Sequence, residues 1–234
     1  MPAYFVTGTD TGVGKTVVAA SLLAAARARG LRTAALKPVE TGCGADETGG
    51  LRPADAAILA EAARTPEPPT PTCVYAFRAP AAPAVAARWE DRTVDIAAIA
   101  SALAAHQAAN PDLLIVEGAG GLLVPFTATH SAADISLHLD LPLLLVARAG
   151  LGTINHTLLT LECARLRGLD VRGLIFSAAD ETPDDPTTLS NRDEIATRTD
   201  IPILGTLPKL TTTALPDLAH SAEAHLDLDA LLLR

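Results

Sequence analysis

Between Ala3 and Arg29 the chain passes from a five-residue apolar run, through a glycine-rich turn, into an alanine-rich helical stretch. Ala3-Tyr4-Phe5-Val6-Thr7 is short, apolar on both faces and closed by Gly8, which predicts a buried parallel strand. Gly8-Thr9-Asp10-Thr11-Gly12-Val13-Gly14-Lys15-Thr16 follows, and Thr16–Arg29 predicts a helix that stops at Gly30. A glycine-rich turn feeding a helix start leaves free backbone N–H groups aimed at one point, a cradle for phosphate oxygens. Lys15 is placed to reach β- and γ-phosphates, and the Thr16 hydroxyl to ligate Mg²⁺.

The turn departs from the strict pattern of P-loop proteins, GxxxxGK[ST]. Thr9 stands five residues before Gly14, and the glycine lies one earlier, at Gly8. Asp10 occupies the place where the deviant branch of such loops carries a signature lysine.

Downstream, strand-like and helix-like segments alternate. Strands are expected at Thr33–Leu36, Leu113–Val116, Leu143–Ala147, Val171–Phe176 and Ile203–Leu204. Helices are expected at Ala54–Arg64, Asp95–Ala109, Ser131–Leu139, Thr153–Arg167, near Thr187–Thr199 and at Pro216–Leu233. Residues 39–53 read as a glycine-rich loop. Residues 65–83, with prolines at 66, 68, 69, 71, 80 and 83, read as an irregular connection. Strands apolar on both faces, alternating with helices, specify one α/β domain over 1–234. Its sheet is doubly wound and mainly parallel, with helices on both faces and ligands beyond the carboxyl ends of the strands.

Composition narrows the function. Net charge is −9 and aromatics are 3%, which argues against a nucleic-acid partner needing a basic face or stacking platforms. No apolar stretch reaches the ~20 residues of a membrane span and no secretory signal is read, so the expectation is a cytoplasmic protein. Cys43, Cys73 and Cys163 are too scattered for a disulfide framework or a zinc site. Fifteen arginines stand against three lysines, Lys15, Lys37 and Lys209. Two of these, Lys15 and Lys37, stand at post-strand positions, where a compact ammonium suits a crowded phosphate or carbamate site better than a guanidinium. Glu117 ends the strand Leu113–Val116, where P-loop proteins hold an acid for Mg²⁺, and Gly118-Ala119-Gly120-Gly121 permits close approach of a ligand. On spacing alone Asp55 is an ordinary acid in the first turn of a helix.

GTDTGVGKT, Leu36-Lys37-Pro38-Val39-Glu40-Thr41-Gly42, VEGAGGLLVP from Val116 to Pro125 and Leu151-Gly152-Thr153-Ile154-Asn155-His156 occur together. In this combination, from about residue 3 to 177 and weakly through Gly205–Leu210, the chain resembles the dethiobiotin synthetase family. The resemblance implies an ATP- and Mg²⁺-dependent ring closure of 7,8-diaminopelargonate with CO₂, through a carbamate and its phosphoric anhydride. It implies Thr16, Asp55 and Glu117 as Mg²⁺ ligands, raising Asp55 above a helix acid, and Lys15 and Lys37 as the catalytic lysines. Gly12, Val13, Gly14, Lys15, Thr16 and Val17, then Glu117, Gly118, Ala119 and Gly120, match nucleotide contacts. Thr11, Lys37 and Thr41 match substrate contacts. Gly152, Thr153 and Asn155 match a helix start that, in the family's homodimer, receives the carboxylate of the partner's substrate.

Two positions depart from the family. Ser177-Ala178 stands where an Asn commonly reads adenine, so base selectivity is expected to relax. Pro208-Lys209-Leu210 carries Lys209 where a large aromatic is frequent, beside the expected base or ribose. A partitioning-type ATPase and a cobyrinate-amidating ATPase are the competing expectations. Asp10 and the acidic charge oppose the first; the second needs a glutaminase domain for which no residues remain after the last helix.

Overall fold

The computed structural model describes residues 2–64, 71–178 and 186–232. Seven strands form one parallel sheet in the order β5-β2-β6-β1-β7-β8-β9. The central strand β1 (Ala3–Gly8) leads into α1 (Lys15–Ala28), and the chain then skips one place to β2 (Thr33–Glu40). A small antiparallel ribbon, β3 (Gly44–Ala45) with β4 (Leu51–Arg52), precedes α2 (Ala54–Ala63) and the edge strand β5 (Cys73–Ala76). Helices α3 (Pro83–Trp89) and α4 (Ile96–Ala108) return the chain to β6 (Leu113–Gly121), which inserts between β2 and β1. The other half adds α5 (Ala132–His138), β7 (Leu143–Arg148), α6 (Thr153–Leu166), β8 (Val171–Ala178), α7 (Pro186–Ala196), β9 (Ile203–Pro208), α8 (Leu215–His225) and α9 (Asp229–Leu232).

Side chains alternate across the sheet with the period of two that strands impose. Tyr4 and Val6 face α1, α8 and α9, with Ile115 and Leu144 beside them. Phe5 faces the opposite layer with Leu36, Leu114 and Val116. All four phenylalanines, Phe5, Phe77, Phe126 and Phe176, are fully buried, and alanine, leucine, valine and isoleucine fill the rest. Each such large apolar side chain contributes about 1.5–3 kcal/mol by leaving water. The alanines of α1 let α2 and α8 pack closely beside it.

The parallel α/β class expected from the sequence is the one observed, and several boundaries differ. β2 does not end before Lys37-Pro38 but runs to Glu40. Its pairing with β6 stops at Leu36 and its pairing with β5 starts at Lys37, so Pro38 lies where β2 has already left β6. β6 continues four residues past Glu117 through the glycines. The proline-rich connection contains β5 and ends at the first residue of α3; residues 65–70 lie outside the described residues. The segment read as one final helix is two. Leu226 adopts extended backbone and bridges Gly205, and the Asp227 N–H donates to the carbonyl of Leu204 at 2.7 Å. Residue 233 of that expected helix, and residues 179–185, also lie outside the described residues. No helix of the described residues is long and apolar enough to cross a membrane.

Candidate active site

The loop between β1 and α1 is shaped by its glycines. Gly14 takes the helix N-cap position at φ 90°, in the left-handed region, and a Cβ there would run into the Ser177 side chain. Only glycine satisfies both demands. Lys15 opens α1 and is buried, its ammonium donating to the carbonyl of Asp10 at 3.0 Å. Asp10 itself turns back on the loop, its carboxylate accepting from the Thr11 N–H at 2.7 Å.

The divergence of β2 from β6 after Leu36 opens a gap that Lys37 fills. Its ammonium donates to Glu117 Oε1 at 2.5 Å and to Asp55 Oδ2 at 3.0 Å. The Thr16 hydroxyl donates to the same Glu117 Oε1 at 2.8 Å. Glu117 is fully buried, and its second oxygen, Oε2, has no hydrogen-bond partner. Thr16, Lys37, Asp55 and Glu117 therefore meet at the carboxyl ends of β1, β2 and β6, although they are up to 101 residues apart in sequence.

The two lysines are tuned in opposite directions. Burial pushes Lys15 down to about 8, against the raising influence of Glu117, with Lys37 repelling it further. Burial would also lower Lys37, but Glu117 and then Asp55 outweigh it and hold its ammonium above the ordinary range. Lys37 is thus a fixed charge across the physiological range, whereas Lys15 is poised to take up or release a proton.

Thr11, Gly12, Gly14, Lys15, Thr16 and Val17 line a cleft of about 380 Å³ together with Lys37, Thr41, Asp55 and Glu117. Ala119 and Gly120 close its far wall. Val13 lies beneath, in the core. Ser177 and Ala178 end β8 beside Leu207 and Pro208 of β9, and through Ser177 this pair of strand tips abuts the loop at Gly14. Lys209 is exposed beyond them, and Leu210 packs partly onto the α1 layer. Gly152, Thr153 and Asn155 do not join the cleft. Gly152 and Asn155 line a separate groove of about 970 Å³ beside α6, while Thr153 is buried.

The donor set suits a hard divalent cation. Two carboxylates and one hydroxyl converge, one buried carboxylate oxygen is unshared, and the set is all oxygen. Among the described residues no cluster of three or more His, Cys, Asp or Glu side chains forms, so a ligand-rich site of the zinc kind is not built there.

Two contributors have no obvious motif. Glu40, at the end of β2, accepts from the N–H groups of Asp55 and Ala56. The signal that points to it is a helix whose N-cap is Pro53, a side chain with no acceptor to offer. Asn191, buried on α7, donates to the carbonyl of Ala149 at 3.1 Å and pins the turn that leads to α6. Nothing local in the sequence marks that contact.

A family model described as "AAA domain" matches residues 2–216. The ATP-dependent dethiobiotin synthetase BioD of Anaeromyxobacter dehalogenans is 48% identical over 227 residues, 96% of this chain and 95% of that protein. Among solved structures, the MinC:MinD cell division protein complex of Aquifex aeolicus matches 94% of this chain and 86% of its own at TM-score 0.58 and 14% identity. A ParA family ATPase from Chlorobium tepidum TLS matches 100% and 93% at TM-score 0.53 and 15% identity. At such low identity these two share the fold and nothing more. The loop, the lysine between two acids and 48% identity over nearly the whole length place the chain in the AAA-domain family and, within it, among the ATP-dependent dethiobiotin synthetase enzymes.

Proposed function

We propose that this enzyme is an ATP- and Mg²⁺-dependent ring-closing ligase that converts 7,8-diaminopelargonate and CO₂ into dethiobiotin. The observation that carries this is Lys37, a buried ammonium held between Glu117 and Asp55, which favour its charged form, beside a phosphate-binding loop. A simple nucleotide switch has no need of a second buried cation at that point.

An uncharged amine of the substrate attacks CO₂, forming a C–N bond and a carbamate and releasing one proton. The carbamate oxygen then takes the terminal phosphoryl group of ATP, and ADP leaves. The second amine attacks the carbonyl carbon of this mixed anhydride and expels phosphate, which carries away the amine's proton as the ureido ring closes. These steps call for positioning and charge neutralisation more than for a general base. Lys15 and the backbone N–H groups of the loop hold the phosphates, and Lys37 faces the carbamate and the transferred group. Thr11 and Thr41 orient the diamine. Thr16, Asp55 and Glu117 would hold Mg²⁺, which when bound neutralises phosphate charge that two ammonium groups alone leave uncompensated.

Ser177 carries a hydroxyl in place of an amide and is packed against Gly14, which supports reduced discrimination among bases. Comparable rates with limiting ATP, GTP and CTP are expected, and a strong ATP preference would contradict this. The α6 start is assigned to a homodimer in which Gly152, Thr153 and Asn155 receive the partner's substrate carboxylate. Leu151, just before that helix, is 88% exposed and Leu159, within it, 61%, and a helix N-terminus favours an anion. A cytoplasmic location belongs to the same proposal, because the reaction consumes ATP.

Labelled bicarbonate incubated with the enzyme, ATP, Mg²⁺ and 7,8-diaminopelargonate tests the assignment. A labelled cyclic urea with one ADP per ring is expected. ADP formed without any ring product would refute it.

A further inference from the structure

Helix α2 starts without a cap of its own. Pro53 holds the N-cap position in extended backbone, and its side chain accepts no hydrogen bond. Four N–H groups at a helix start need partners from elsewhere. Two of them, those of Asp55 and Ala56, donate to the two oxygens of Glu40 at 3.0 and 2.9 Å. These are the second and third helical residues, the pair that a Ser or Asp at the N-cap would serve. Glu40 thus does from fifteen and sixteen residues upstream what a local cap normally does. It is buried, and its negative charge faces the positive end of the helix dipole.

The placement matters because of what else β2 carries. Lys37, three residues earlier on the same strand, binds the Asp55 carboxylate, and Glu40 binds the Asp55 backbone. Between Glu40 and α2 the chain is a mostly exposed ribbon. One rigid strand therefore grips Asp55 at both its main chain and its side chain.

We propose that Glu40 is the positioning residue of the Mg²⁺ site: by capping α2 from β2, it sets where the Asp55 carboxylate lies relative to Thr16 and Glu117. This rests on the assignment of Asp55, Thr16 and Glu117 as the metal ligands.

The test uses the full-length enzyme with ADP and Mn²⁺, bound metal being read by electron paramagnetic resonance, alongside Mg²⁺ titration of ring formation. Glu40→Gln keeps the shape but turns an NH₂ toward one N–H. It is expected to weaken Mn²⁺ binding about tenfold and to raise the Mg²⁺ requirement equally, the usual scale for residues that orient metal ligands. ADP affinity in excess chelator should not change. Adding Pro53→Asp to Glu40→Gln supplies a local cap and is expected to restore Mn²⁺ affinity, which a loss of general stability would not predict. Unchanged Mn²⁺ affinity in Glu40→Gln, or no rescue by Pro53→Asp, would overturn the proposal. Asp55→Asn separates the two layers. If it weakens Mn²⁺ binding while Glu40→Gln does not, the positioning role alone is wrong. If Asp55→Asn binds Mn²⁺ like the parent, the metal assignment is wrong and this proposal goes with it.

Discussion

At the tips of β1, β2 and β6 five ionisable side chains, Lys15, Lys37, Glu40, Asp55 and Glu117, are gathered in a cleft of about 380 Å³. On the other layer the start of α6 stands beside an open groove of about 970 Å³, with Leu151 and Leu159 largely exposed. The first region is satisfied within one chain: each buried charge has an opposite charge, a carbonyl or backbone N–H groups against it, apart from the one free oxygen of Glu117. The second offers a helix start and exposed leucines, with no cation among the residues assigned to the substrate carboxylate. Charges that are desolvated must be held rigidly by their own chain, whereas a carboxylate-binding helix start can await a second copy.

The contrast can be broken most severely at Lys37. Lys37→Ala should lower turnover by about a thousandfold, the scale for removing one preorganised charge-stabilising donor. ADP affinity by calorimetry should fall only slightly, because the loop and Lys15 remain. A parallel fall in both would remove Lys37 from the chemistry and make it a binding residue.

Glu117→Gln comes next. It leaves Lys37 buried with Asp55 as its remaining partner, and breaking a buried pair costs about 3 kcal/mol or more. Urea unfolding of the metal-free protein should show that loss. No change in midpoint would mean that the pair contributes nothing to folding.

Lys15 gives the third. Its ammonium is held down to about 8 by burial, whereas the unfolded chain titrates near the ordinary lysine value. Between those two values the unfolded chain binds the proton that the folded chain has lost, so Lys15 makes stability rise with pH over that window. Bound phosphates favour the charged form, so ADP binding should take up close to one proton at about pH 9 and almost none at about pH 7. Calorimetry in buffers of different ionisation enthalpy measures this, and Lys15→Met should abolish it. Lys37 keeps its proton throughout, so uptake that survives in Lys15→Met would contradict the division between the lysines.

The smallest effect belongs to the α6 face. If the proposed dimer forms through this face, Leu159→Asp should shift it toward monomer in sedimentation and lower ring formation several-fold while leaving ADP affinity alone, as expected for one interface anchor worth about 1–2 kcal/mol. A variant that stays dimeric and fully active would take α6 out of the interface.

What the amino-acid sequence disclosed follows from range. The corner from β1 to α1 is built from neighbours in the chain, so glycines, Lys15 and Thr16 announce it directly. Glu117 was legible because it follows an apolar run, although the strand runs on past it through the glycines. Asp55 on spacing alone was only a helix acid, and the family resemblance was needed to single it out. The edge strand β5 was hidden among prolines, which carry no strand signal, and the break between α8 and α9 is imposed by pairing with β9. Glu40 and Asn191 act through backbone groups that any residue could offer; Pro53 signals that α2 needs a cap but not that Glu40 supplies it, and nothing signals the partner of Asn191.

The central claim is that the Lys37 ammonium, placed beside Glu117 and Asp55, faces the group being transferred. A crystal structure with Mg²⁺, a non-hydrolysable ATP analogue and 7,8-diaminopelargonate tests it most directly. The account predicts the Lys37 ammonium within hydrogen-bonding distance of the terminal phosphoryl oxygens, and the cation on Thr16, Asp55 and Glu117. Lys37 still locked between Glu117 and Asp55, with the cation bound elsewhere, would contradict it.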